Sequence, residues 1–157
     1  MATQRSWAVL LSIRQQHAAN IYAGTKTAEL RKTTPRFAPG GYDPATYPFR
    51  VYMYESKQDG GIGAVTGYFD CTAYIGVKPQ NNERYPAFMA QEAQVSQDYL
   101  EKYGAGGWVY AWKVKNPHRL PYPVQVSALG VKRPPQSWQF LDAEACDILE
   151  VAARESP

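Results

Sequence analysis

The run Trp7-Ala8-Val9-Leu10-Leu11-Ser12-Ile13 is almost unbroken in its apolar character, and a stretch that short and that apolar suits a strand buried on both faces. It reads as the first strand of the core. From Arg14 to Ala23 the spacing changes: Ala18, Ile21 and Tyr22 recur at helical intervals, with Arg14, Gln15, His17 and Asn20 on a polar face. Gly24 stands where a glycine closes a helix by taking positive φ. His17 belongs to the polar face and reads as a solvated helix histidine.

The densest chemistry follows at once, in Gly24-Thr25-Lys26-Thr27-Ala28-Glu29-Leu30-Arg31-Lys32. Strand alternation places Ala28 and Leu30 on one side and Thr27, Glu29 and Arg31 on the other. Glu29 and Arg31 are then expected to face outward together beside Lys26. On the residues alone two readings stand. One is a surface ion network worth about 1 kcal/mol or less per pair; the other is a site in which Lys26 and Arg31 meet phosphate and Glu29 accepts from an amine or a ribose hydroxyl.

Further elements succeed one another irregularly. Thr33 to Pro48 reads as a loop, rich in Pro and Gly. Phe49–Glu55 alternates as a strand, with Val51 and Met53 on one face and Tyr52 and Tyr54 on the other. After the Asp59-Gly60-Gly61 turn, Gly63 to Ile75 is a further strand whose Gly67 marks a bulge or a close backbone approach. Helical spacing returns between Pro86 and Tyr103, with Ser96 as an N-cap and Tyr99, Leu100 and Tyr103 on one face. Trp108 to Lys115 is a strand with aromatics at alternate positions, a stripe that fits a core or a stacking platform. Pro117, Pro121 and Pro123 are expected to break the chain before Val124. Arg133 to Leu141 gives a last strand, and Asp142 caps a helix of about 142–154.

About six strands with two or three helices inserted between them imply an α+β chain built as a small mixed barrel rather than a doubly wound parallel sheet. At 157 residues it fits one domain spanning 1–157. The net charge of +3 is compatible with an anionic partner without predicting one. Cys71 and Cys146 are far apart, and His17 and His118 are scattered, so neither a metal nor a redox motif is present and no cofactor is expected. No apolar run is long enough to span a bilayer, so the expectation is a cytoplasmic protein with no membrane partner.

The order of these features resembles the ASCH domain family of the PUA-like superfamily. Gly24 to Arg31 is similar to that family's Gly-x-Lys-Thr-x-Glu-x-Arg signature, and Arg133-Pro134-Pro135-Gln136-Ser137-Trp138 is similar to its Pro-Pro-Gln-Ser-Trp ending. The match runs from about Leu10 to Leu141. The resemblance implies a PUA-like β-barrel with a cleft beside the first helix, lined by the Lys26 to Arg31 segment, that binds RNA, single-stranded nucleic acid or a modified nucleoside. Ser12, Lys26, Thr27, Glu29, Arg31, Tyr54 and Trp108 are the residues expected to meet the ligand, Tyr54 or Trp108 by stacking. It also implies an alternative, an amidohydrolase or other hydrolase acting on a nucleoside such as N4-acetylcytidine, or a ribonuclease, with Lys26 and Glu29 as catalytic residues. In hydrolase relatives the catalytic set is a lysine, a threonine three residues on and a helix glutamate. Here Glu29 stands at the threonine position, and Glu92 is a loose match for the glutamate.

Overall fold

The computed structural model describes residues 5–35 and 48–155; most of the segment expected to be a loop after Thr33 lies outside them. Among the described residues there are six strands and four α-helices, more helices than the sequence suggests. In chain order they are β1 (Ala8–Ile13), α1 (Gln15–Ala23), β2 (Ala28–Arg31), β3 (Phe49–Glu55), β4 (Ala64–Val77), α2 (Ala87–Ala93), α3 (Gln97–Gly104), β5 (Val109–Val124), β6 (Trp138–Leu141) and α4 (Ala143–Arg154).

The strands form one mixed sheet in the order β2-β5-β4-β3-β1-β6. Only β1 and β3 run parallel; the other neighbours are antiparallel. The α+β class is as expected, but the sheet is not closed into a barrel: β2 and β6 are its two edges and share no ladder. The open seam between them is bridged by side chains instead.

β1 is buried on both faces. Ala8 and Leu10 enter a cluster with Leu141, Cys146 and Leu149 of the β6–α4 end, whereas Val9, Leu11 and Ile13 pack with Ile21 of α1, Phe69 and Trp112. β3 divides in the same way, Tyr52 and Tyr54 to the first cluster and Val51 and Met53 to the second. A third cluster sets Ala28 and Leu30 of β2 against Met89, Ala93 and Leu100 of α2 and α3. Burying that pair turns Glu29 and Arg31 inward, toward the Trp112 side of the sheet.

β5 corrects the expected break at the prolines. It continues through Pro117, Pro121 and Pro123 to Val124. β2 and Thr27 before it cover only Tyr110 to Val114, so beyond that point no strand among the described residues pairs with that edge of β5 and a missing N–H costs little there. The pairing with β4 shifts register between Val65 and Gly67, Tyr68 and Asp70, and Cys71 and Tyr74, and none of the three prolines occupies a paired position. Gly67 is also a close-approach site: a Cβ there would lie 2.2 Å from the His118 carbonyl oxygen and 2.3 Å from the Tyr22 hydroxyl.

Candidate nucleotide-binding cleft

α1 ends as its glycine predicts. Gly24 has φ +83°, and its N–H reaches back to the last carbonyls of the helix. The N–H groups of Thr25 and Lys26 both donate to Asn20 O. Thr27 is then tied on two sides, its N–H donating to Glu92 O (2.8 Å) and its carbonyl accepting from Val114 N (3.0 Å). Lys26 is thereby held by backbone bonds while its side chain runs inward, 2% exposed.

Lys26 Nζ donates to Ala93 O at 2.6 Å and lies 3.2 Å from Glu29 Oε1. Ala93 ends α2, so the ammonium satisfies a carbonyl of the last turn, where a cation is favoured. Arg31 takes the other carboxylate oxygen: Nη2 and Nε donate to Glu29 Oε2 at 2.7 and 3.3 Å. Its remaining N–H groups donate to Ser12 O (2.8 Å), Ser137 O (3.3 Å) and Ser137 Oγ (3.1 Å). A guanidinium has five N–H donors, and Arg31 spends all five within the chain. This one side chain joins β2 to β1 and to the approach of β6.

Burial alone would push the Glu29 carboxyl up; Arg31 and Lys26 beside it, with the hydrogen bond from Arg31, outweigh that and hold it down to about 2. Glu29 is therefore a fixed anion. A carboxylate that acidic is a weak base at neutral pH.

The network corrects one expectation and decides between two readings. The charges do not face outward, and of the two readings the surface network does not fit, since Lys26 and Glu29 are buried. The three side chains form the floor of a cleft of about 690 Å³, within the range of small-molecule sites. Of the residues picked from the sequence, Ser12, Lys26, Glu29, Arg31 and Tyr54 line this cleft, and Thr27 and Trp108 do not. Thr27 precedes β2, so strand alternation does not carry it onto the face of Glu29. Trp108 is exposed and stacks on Tyr110 elsewhere (5.8 Å, 13°). The Ser12 hydroxyl is engaged, donating to Pro135 O at 2.5 Å. Tyr54 is 7% exposed and packed into the core. Glu92 is not part of the lining; it pairs with Lys113 (2.5 Å).

Sequence reasoning missed other members. His17 is half-buried on the cleft wall rather than solvated. Burial, then Lys26, with Arg31 and Arg14, lower its pKa against the opposing pull of Glu29. Tyr99 and Tyr103, four apart on α3, stack at 6.0 Å and 9° beside the cleft. Their spacing was legible; their direction was not. Arg14 and Lys57 stand at the rim, and Ser56 is on the wall. Among the described residues no three His, Cys, Asp or Glu side chains gather as metal ligands, and no helix is long and apolar enough to cross a membrane. Burial pushes the Cys71 and Cys146 thiols up to about 12 and about 11, so neither is a ready nucleophile.

An open mixed sheet with a polar cleft at its unpaired seam defines an α+β domain. More particularly, the fold is that of the ASCH domain. The crystal structure of ASCH from Zymomonas mobilis superposes with a TM-score of 0.74 at 19% identity, covering 96% of this chain and 98% of that one. Two variants of that protein, one with a tyrosine changed to phenylalanine and one with a serine changed to alanine, superpose with TM-scores of 0.70 and 0.72, also at 19% identity. They cover 94% and 96% of this chain and 98% of their own. No family model and no curated protein matches the sequence.

Proposed function

We propose that the protein binds RNA, or a nucleotide of modified-base type, in the cleft between α1, α3 and the approach to β6. The observation that carries this reading is the cleft itself: an ionised, water-poor floor of Lys26, Glu29 and Arg31 under an aromatic wall, with Arg14 and Lys57 at the rim. Tyr99 offers a half-exposed ring on which any base can stack. Lys57 suits phosphate as a point charge; Arg14 beside it is paired with Asp59 (3.2 Å).

The floor serves this reading by position more than by contact. Arg31 has no N–H to spare, and Glu29 has both oxygens paired. Lys26 keeps one of its three N–H donors free of the pairings to Ala93 and Glu29. A hydrolase using Glu29 as its base finds less support, because a carboxyl held at about 2 removes protons poorly.

The test is titration of a short single-stranded RNA into the protein at several salt concentrations. Binding that weakens with salt, and that Tyr99→Ala weakens by about tenfold or more, is the expected result. Absence of binding to RNA and to nucleotides at low salt would sink the proposal.

A further inference from the structure

The charged floor is almost fully occupied by its own bonds, whereas two neutral side chains on the cleft wall are not. His17 Nδ1 on α1 and Ser56 Oγ just beyond β3 are buried and meet no hydrogen-bond partner. Both residues line the cleft. Buried polar atoms are nearly always satisfied, so each exception calls for an explanation, and on the wall of a cleft a partner outside the chain supplies one.

Their supports are rigid. The Ser56 N–H donates to Ile13 O at 2.9 Å, fixing Ser56 to the end of β1. His17 lies in the first turn of α1, whose Ala18 N–H donates to Arg14 O at 3.0 Å. The charged groups acting on the imidazole are Lys26, Glu29, Arg31 and Arg14, and the three cations together with burial favour its neutral form. A neutral imidazole offers one donor and one acceptor, and a serine hydroxyl offers both. Around the end of β1 the cleft wall thus carries two uncharged polar atoms, His17 Nδ1 and Ser56 Oγ, with no internal claim on them.

We infer that His17 and Ser56 read the uncharged polar edge of a nucleobase, the edge on which a donor and an acceptor lie side by side, and so set which base the cleft accepts. This rests on the nucleotide-binding reading of the cleft. Lys26, Glu29 and Arg31 then act as the scaffold of the site, and base choice belongs to two residues outside that signature. A base edge is suited to such a wall because discrimination is largest where a buried polar group would otherwise be left unpaired.

The experiment uses the four ribonucleoside 5′-monophosphates as separate probes, titrated into the wild type and into His17→Phe, His17→Gln and Ser56→Ala. The wild type is expected to prefer one base. His17→Phe and Ser56→Ala are each expected to lose about tenfold in affinity for it and to narrow the preference. His17→Gln, with a neutral donor and acceptor, is expected to keep more of both than His17→Phe. The imidazole nitrogen resonances of the 15N-labelled wild type should move on saturation with the preferred nucleotide, a readout that needs no variant. If the wild type discriminates between bases, while the two deletions do so equally well and the imidazole resonances stay still, this inference falls and the nucleotide reading survives. If the wild type binds none of the four and no short RNA, both fall together.

Discussion

Replacing Glu29 by glutamine keeps the shape of the side chain and removes one charge from the middle of a buried row of three. Lys26 and Arg31 are left as neighbouring cations with little water to screen them. The size of the loss follows from the carboxyl itself, which moves from an ordinary 4.5 to about 2 on folding. At about 1.4 kcal/mol per unit this is about 3 kcal/mol of stability at neutral pH. Removing one partner of a buried pair costs a similar amount, about 3–5 kcal/mol. Because the folded carboxyl is the more acidic, the contribution is complete above pH 4.5 and fades as pH falls toward 2. Urea unfolding of wild type and Glu29→Gln across this range measures it. At pH 7 the variant should be less stable by about 3 kcal/mol, a drop of about 6–12 °C in Tm for a chain of this size, and the gap should close as pH approaches 2. A variant as stable as wild type at pH 7, or a gap that persists unchanged to pH 2, would refute the reasoning.

Two further substitutions probe the frame around the site. Arg31→Lys replaces a five-donor fork by three donors on a flexible stem, and should cost about 2 kcal/mol while raising hydrogen exchange at the Ser12 amide, which donates to Ser137 O; unchanged exchange there would mean that Arg31 does not hold the seam. Gly67→Ala places a methyl against the His118 carbonyl and the Tyr22 hydroxyl. A loss of about 1–3 kcal/mol is expected, and an unaltered melting temperature would show that β4 and β5 can part there freely.

Local patterns carried much of the architecture into view. The apolar run of β1, the glycine after α1, the Ser96 cap on Tyr99 N (3.0 Å) and the Asp142 cap on Ala145 N (2.9 Å) are all decided within a few residues, and each reads from the sequence. The resemblance to ASCH domains rested on motif order and holds at the level of fold. What stayed hidden depends on distant partners. Lys26 ends at Ala93, 67 residues on, and nothing in the order Lys-Thr-Ala-Glu-Leu-Arg says that α2 will present a carbonyl there. Alternation correctly paired Glu29 with Arg31 but could not say which face of β2 would be covered. Ala28 and Leu30 turn to the helices, so the charges turn to the cleft. The prolines of β5 misled for a related reason, since a missing donor matters only where a neighbour needs it, and β2 is too short to need it. His17 looked solvated because a helical wheel shows which residues share a face, not what that face meets.

An open sheet whose seam is held by side chains, Arg31 on Ser12 and Ser137 and Trp138 on the Thr33 hydroxyl (2.9 Å), behaves differently from a closed barrel. A barrel seam is a ladder of backbone bonds, which are the same whatever the side chains, and widening it means breaking several at once. Here the gap between β2 and β6 is set by the reach of a guanidinium across to Ser12 and Ser137 and of an indole N–H across to Thr33. The width of the cleft mouth is therefore written in side chains, where a change of one codon can alter it, while the strand pairings behind it keep their register. A fold arranged in this way can be fitted to ligands of different girth without rebuilding its core.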